Sequence, residues 1–431
     1  MPEPILSNLK PDKAWSFSEI TRIDSSYLTH GYHRYPAKFI PSIVQKLIKD
    51  YTRPGNLIVD PFGGCGTTLV EAKISGRKSI GVDINPIAKL ITDIKTKPID
   101  PKKLKKFHSM FLSAYKKTPA NEPTFKTDRL DYWFEKQTQL KLNQIYTAIK
   151  TIKDPYIRKF YFVAFSHILK NCSKWLMKSI KPQVDKSKSL KEPFSIFETH
   201  LKFMMKRNAQ FYETLKKNGF LNLDCKMKIG NTAKKVPIKS NSVDFVVTSP
   251  PYVTSYEYAD LHQLSLLWFG SDEKYFKSWG KLVKDFSGFK KQFIGTSFTK
   301  QVDIKNLNSE TAKSIIKDLE TKDKGEAVNV AGYYLDINKS LNELYRILKP
   351  GSKACVILGN TSLKGVEILN AEVVLEQLEN LGFKKTEIIK REIGTKIITS
   401  WRDKQTGRFS SSESPNSKRV YQYEYLLIVQ K

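Results

Sequence analysis

Three short stretches carry residues whose types and spacing could do chemistry. The first is "TSPPY", in which Ser249, Pro250, Pro251 and Tyr252 follow the apolar run "VDFVV". Each proline fixes its own φ and pushes the residue before it into an extended conformation, so these four residues form a stiff extended loop. Two prolines remove two N–H groups, leaving carbonyls that have no donor within the motif and can act as acceptors. Such a loop suits a ligand carrying N–H donors, and Tyr252 adds a flat ring able to stack on another flat ring. Taken alone, the Pro-Pro pair also describes an ordinary strand ending in a turn.

The second stretch is "DPFGGCGTT", where Asp60 ends an apolar strand and Gly63, Gly64 and Gly66 let the backbone turn sharply before a helix N-terminus. The third is "GVD", whose Asp83 ends the next strand 23 residues after Asp60, where a carboxylate reaches ribose hydroxyls in a doubly wound fold. Neither G-x-G-x-x-G nor a Gly-Lys-Ser/Thr pattern is present, so the spacing favours a nucleoside without phosphates.

The elements that must position these residues alternate along the chain. "NLIVD" (56–60), "KSIGVD" (78–83), "KMKIGN" (226–231), "SVDFVVTSPPY" (242–252) and "KACVILGN" (353–360) read as strands, separated by helical patterns such as "INPIAKLITDIKT". "YYLDINKSLNELYRILKPG" reads as a long amphipathic helix closed by Pro-Gly, and "VEILNAEVVLEQLENLGF" as the helix after it. The strands "TEIIKREI" and "YQYEYLLIVQ" end the chain. This order predicts an α/β, doubly wound, mostly parallel sheet with a C-terminal antiparallel strand. Two stretches interrupt it. Residues 101–226 predict a basic, largely helical insertion, with "YIRKFYFVAFSHILKNCSKWLMKSI" as one apolar-faced helix presenting Lys170, Lys174 and Lys178 on its polar side. Residues 271–329 form the second insertion. Phe160, Phe165 and Trp175 are expected in the core.

Lys and Arg number 73 against 43 Asp and Glu, a formal net charge of +30, which points to a polyanionic partner, nucleic acid first. Residues 101–230 hold 28 of the basic residues against 10 acidic ones, making that stretch a candidate DNA-facing module unless the charge merely solvates helix surfaces. The polar stretch 399–420 is a second candidate. The four cysteines are scattered and only His30 and His33 lie close together, so neither a metal site nor a disulfide framework is expected. No apolar run reaches a membrane span and the first residues lack a signal-peptide layout, which predicts a cytoplasmic protein.

"DPFGGCGTT", "GVDINP" and "VVTSPPY", with "HRYPAKFIP" upstream and "YRILKPG" downstream, resemble the amino-group DNA methyltransferases that use S-adenosylmethionine. The resemblance covers roughly residues 30–96 and 227–270, more loosely 331–430, and leaves both insertions outside. It implies a Rossmann-like methyltransferase domain built from residues 1–100 and 227–431. In that family the Phe-Gly-Gly loop cradles the methionine part of the cofactor, which assigns Asp60, Pro61, Phe62, Gly64, Gly66 and Thr67 to that role. Asp83 would hold the ribose, while Ala37, Lys38 and Phe39 would pack over the methionine end. Asn231 stands where relatives often carry an acid beside the cofactor adenine. Ser249, Pro250, Pro251 and Tyr252 would grip a base flipped out of duplex DNA. Serine at the first position is similar to the cytosine-N4 members, while Asp or Asn is more usual for adenine-N6. The resemblance implies a site-specific enzyme of restriction-modification, partnered by a separate endonuclease, since no nuclease motif is present. An adenine-N6 DNA methyltransferase, an enzyme acting on RNA or on a free base, and a non-catalytic DNA binder are the alternatives.

Overall fold

The computed structural model describes the chain except residues 1–5, 22, 37, 39, 124, 126, 254–257, 297–301, 394–400, 404–409, 420 and 421. Seven strands form one sheet: β1 Leu57–Asp60, β2 Lys78–Asp83, β3 Cys225–Ile229, β4 Val243–Thr248, β5 Leu348–Leu358, β6 Lys384–Glu392 and β7 Tyr423–Gln430. Their spatial order is β3-β2-β1-β4-β5-β7-β6. The pairings from β3 to β5 are parallel, and β7 runs antiparallel to both β5 and β6. The fold is a doubly wound, Rossmann-like sheet with one antiparallel strand, as the alternation of elements predicts.

Alternation within single strands explains the layers. Ile58, Phe245, Val247, Cys355, Ile357, Leu426 and Ile428 face one side, where they pack with Ile43, Val44, Leu47 and Ile48 of helix α1 (Pro41–Tyr51). Their neighbours Val59, Val246, Ala354, Val356, Leu427 and Val429 face the other side, under helices α11 (Lys324–Ile347) and α12 (Asn370–Asn380). A strand buried on both faces has no polar alternation, which is why these strands read as continuous apolar runs.

The remaining helices are α2 (Thr67–Ile74), α3 (Pro86–Thr96), α4 (Pro101–Lys117), α5 (Asp128–Trp133), α6 (Lys136–Lys150), α7 (Pro155–Cys172), α8 (Pro193–Lys217), α9 (Gln263–Gly270) and α10 (Glu310–Glu320), with shorter turns among them. Helices α4–α8 make up the first insertion. Its core is continuous with Ile87, Leu90, Ile91 and Ile94 of α3 and with Leu264, Leu266, Leu267, Trp268 and Phe269 of α9. Phe160, Phe165 and Trp175 are all buried there.

Three element expectations are corrected. Helix α7 stops at Cys172, because Ser173 is extended (φ −101°, ψ 164°) and Trp175 pairs with Val184 and stacks on Trp133 at 5.1 Å. Lys174 and Lys178 therefore lie beyond the helix and share no helical face with Lys170; α7 itself is buried on most sides. The long helix α11 ends at Ile347 before the Pro-Gly pair, which lies inside β5 with Gly351 at φ +78°. Val366–Ile368 forms a two-stranded hairpin with Thr361–Leu363, and α12 begins only at Asn370. In each case a tertiary pairing overrides the local periodicity. The polar stretch 399–420 is described only in part; within it Trp401–Asp403 pairs antiparallel with Ser417–Arg419.

Candidate active site

The carboxyl ends of β1, β2 and β4 bring the three chemistry-bearing stretches together. Asp60 is buried at the end of β1. One oxygen accepts from Phe62 N (3.1 Å) and Thr248 Oγ1 (3.0 Å), the other from Thr68 Oγ1 (2.7 Å). This carboxylate ties β1 to β4 and to the first turn of α2. Pro61 O accepts from Thr232 Oγ1 at 2.7 Å, which draws in the turn after β3, and Phe62 is half-buried above the sheet.

The glycine loop is pinned at almost every backbone group. Gly63 N donates to Val82 O, Gly64 N to Asp83 Oδ2 (2.9 Å), and Gly66 N to Gly63 O. The carbonyls of Gly64 and Cys65 accept from Thr92 Oγ1 (3.1 Å) and Lys95 Nζ (2.6 Å), two side chains one turn apart on α3. Gly64 and Gly66 have φ of +47° and +74°, and a Cβ on Gly66 would stand 2.4 Å from Thr92 Cγ2. Thr67, buried, opens α2 with Gly66 as its cap. Thr92 and Lys95 escaped the sequence reading, although both are polar residues set among Leu90, Ile91 and Ile94 on a face that the periodicity marks as buried. Burial lowers the Lys95 ammonium to about 8, and Glu71, itself raised to about 7 by burial, lies near it.

Asp83 has a different disposition from Asp60. Its Oδ2 holds Gly64 N and its Oδ1 holds Asn85 N at 2.8 Å. A carboxylate offers about four lone-pair sites, so each oxygen keeps capacity for a ligand hydroxyl. Burial raises both Asp60 and Asp83 to about 6. Lys38 Nζ donates to His30 O at 3.1 Å; Ala37 and Phe39 lie outside the described residues. Asn231 is committed at both ends, Oδ1 accepting from Ala233 N and Nδ2 donating to Gln292 O in the second insertion.

The Ser249–Tyr252 loop leaves β4 next to this centre. Pro251 O accepts from Tyr333 Oη of α11 at 2.8 Å, whereas the carbonyl of buried Pro250 takes no hydrogen bond from the described residues. Tyr252 Oη donates to Glu424 Oε1 of β7 at 3.2 Å, and Glu424 Oε2 is held by Arg391 Nη1 of β6 at 2.6 Å. Arg391 in turn donates to the carbonyls of Trp15 and Ser16. Since a carboxylate only accepts, Tyr252 spends its proton on Glu424. Burial, then the Glu424 charge, holds the Tyr252 phenol well above its ordinary value. Glu424 and Arg391 lie 172 and 139 residues beyond Tyr252, so no local pattern announced them.

Four histidines remote in sequence meet behind the site. His33 bonds Ser166 (2.9 Å), which bonds Ser265 (2.7 Å); His167 stacks on His200 at 3.7 Å; His262 Nδ1 meets Asn85 Nδ2 at 3.2 Å. They join the first insertion to the segment after the Ser249–Tyr252 loop and to the turn after β2. Among the described residues no group of side chains is arranged to hold a metal ion, and no helix is long and apolar enough to cross a membrane.

Residues 7–93 match the family model N6_N4_Mtase, described as DNA methylase. The chain is similar to the type II methyltransferase M.MvaI of Kocuria varians, 28% identical over 422 residues covering 91% of this chain and 87% of that protein. It is also similar to the type II methyltransferase M.BsoBI of Geobacillus stearothermophilus, 26% identical over 83% of this chain and 79% of the relative. The DNA adenine methyltransferase YhdJ of Escherichia coli is 32% identical over 84 residues, 20% of this chain and 27% of that one. These matches support an amino-group DNA methyltransferase.

Proposed function

We propose that this chain methylates the exocyclic N4 amine of a cytosine at a specific site in duplex DNA, as the modification enzyme of a type II restriction-modification system. The observation that carries this reading is the placement of Ser249–Tyr252 at the end of β4, one strand from the glycine loop after β1 and two from Asp83 at the end of β2. The residues fit the cofactor: Asp83 has spare acceptor capacity for ribose hydroxyls, and the loop from Pro61 to Gly66 is shaped by two left-handed glycines. When bound, S-adenosylmethionine supplies a methyl group already activated by its sulfonium. What the chain must add is a better nucleophile.

The lone pair of a nucleobase amine is delocalised into the ring. Two N–H bonds, one to Ser249 Oγ and one to Pro250 O, draw that nitrogen toward tetrahedral geometry and localise the lone pair. The Tyr252–Glu424–Arg391 chain, and Tyr333 on the Pro251 carbonyl, fix the loop that carries both acceptors before substrate arrives. The Tyr252 ring stacks on the base once it has left the helix. The amine need not lose a proton before attack.

The test is incubation of purified protein with duplex DNA and isotope-labelled S-adenosylmethionine, followed by nucleoside mass spectrometry. N4-methylcytosine is the expected product, and Tyr252→Ala should lose most of it while still binding cofactor, since base stacking is worth about 1–3 kcal/mol. N6-methyladenine in its place would establish the adenine reading, which the similarity to an adenine methyltransferase favours. Label in RNA alone would overturn the DNA assignment.

A further inference from the structure

Between the first insertion and the segment after the catalytic loop lies a cleft of about 440 Å³, lined among others by Arg129, Tyr132, Trp133, Pro182, Gln263 and Lys290. Its walls combine the cations Arg129 and Lys290, the carboxylates Asp128 and Asp260, and the rings of Tyr132 and Trp133. Arg129 is exposed, lies 5.1 Å over the Phe286 ring and is fixed by a 2.8 Å bond from Nη2 to Gln263 Oε1. Lys290 lies 5.4 Å over the same ring, paired with Asp260 at 2.6 Å. Tyr132 is 57% exposed, held edge-on by Trp133. An exposed tyrosine held by a tryptophan, in a cleft that two cations also line, is a poor solvent surface and a good platform for a nucleotide.

The rim supplies charge. Residues 173–191 contain six lysines and one aspartate, but these lysines divide into two kinds. Lys188 donates to the carbonyls of Lys170, Ser173 and Trp175, and Lys174 to that of Asp131, while Lys170, just before the stretch, donates to Ser179. Those three are internal braces. With the Leu176–Gln183 and Lys174–Asp185 backbone bonds, they fold residues 173–188 into a fixed arm whose Lys178, Lys181 and Lys186 stand exposed. Pro182 at the arm's tip forms part of the cleft wall. Asp260 and Gln263, both lining the cleft, follow Tyr252 by only eight and eleven residues in the chain.

We infer that this arm and cleft form the surface on which the DNA duplex lies, with Lys178, Lys181 and Lys186 on phosphates and Tyr132 and Arg129 against the nucleotides beside the target. The inference rests on the DNA-methylating reading above and names the part of the first insertion that serves it.

The experiment is fluorescence anisotropy of labelled duplex DNA across a salt series. It compares the parent with K178Q/K181Q/K186Q and with K102Q/K105Q/K106Q, an equal neutralisation of exposed lysines on α4. Each lost phosphate contact should flatten log affinity against log salt by about 0.9, so the arm variant should lose roughly 2–3 in slope and the α4 variant none. Tyr132→Ala should lower affinity while keeping the parent's slope. Cofactor affinity should be unchanged in all three, which reports an intact fold. An arm variant with the parent's slope, or an α4 variant with the larger loss, would overturn the inference while leaving the methylation reading untouched. A parent that binds no duplex at any salt would sink both.

Discussion

Asp60 and Asp83 show how two acids at the ends of adjacent strands divide their work. Both are raised to about 6 by burial, yet three donors of the fold converge on Asp60 and two on Asp83, which keeps the larger spare acceptor capacity. The sign of the pH dependence follows. Because the folded value exceeds the ordinary one, protonation favours the unliganded fold: the contribution is complete below about 4 and is lost as pH rises through about 6. Cofactor binding runs the other way, since a ribose hydroxyl donates best to a carboxylate. Its affinity should be flat above about pH 7 and fall toward tenfold per unit below 6. Asp83→Asn should weaken binding by roughly 1.5–3 kcal/mol and flatten the profile. Calorimetry from pH 5 to 8 checks both; an unchanged profile in the variant would move the titrating group, and the ribose site, elsewhere.

At the scale of elements, the glycine loop depends on α3 as much as on its own glycines. Thr92 and Lys95 reach back to the Gly64 and Cys65 carbonyls, and the space above Gly66 is filled by Thr92. Gly66→Ala should therefore suffer twice, from left-handed φ at about 1–2 kcal/mol and from a contact of 2.4 Å that forces Thr92 or the loop to shift. Urea unfolding should show a loss of at least about 2 kcal/mol with cofactor affinity reduced. Adding Thr92→Ser, which keeps the hydroxyl but removes the crowding methyl, should recover part of both. An innocuous Gly66→Ala would mean that the loop is not held as described.

For the whole molecule the question is whether the first insertion is a separable module. Ile87, Leu90, Ile91 and Ile94 of α3 are buried in one cluster with the helices of residues 101–226. Excising those residues would expose four side chains worth about 1.5–3 kcal/mol each, a total on the scale of a domain's entire stability. A chain with 101–226 replaced by a short Gly-Ser linker should aggregate or lose cooperative unfolding by calorimetry. A soluble, cooperatively melting product that still bound cofactor would show that the boundary at residue 100 divides independent units. In the intact chain, His33, Ser166, Ser265, Asn85 and His262 couple the insertion to the site it borders.

The sequence by itself determined the strands, because each central one is apolar on both faces and ends in a chemically marked turn. It also determined the glycine loop, Asp83 and the Ser-Pro-Pro-Tyr loop, because their conformations are imposed by glycine and proline within a few residues. Tertiary structure alone decided what holds those groups. Lys95 and Thr92 reach the loop from the next helix, and Glu424 and Arg391 meet Tyr252 from strands more than a hundred residues away. It also decided where α7 stops, since Trp175 gains more from Trp133 and Val184 than from another helical turn, and with that which lysines brace the arm and which face outward. A lysine in a sequence is a charge of unknown address; its address is set by the carbonyls that the fold brings within reach, and those come from chain segments that no local period relates.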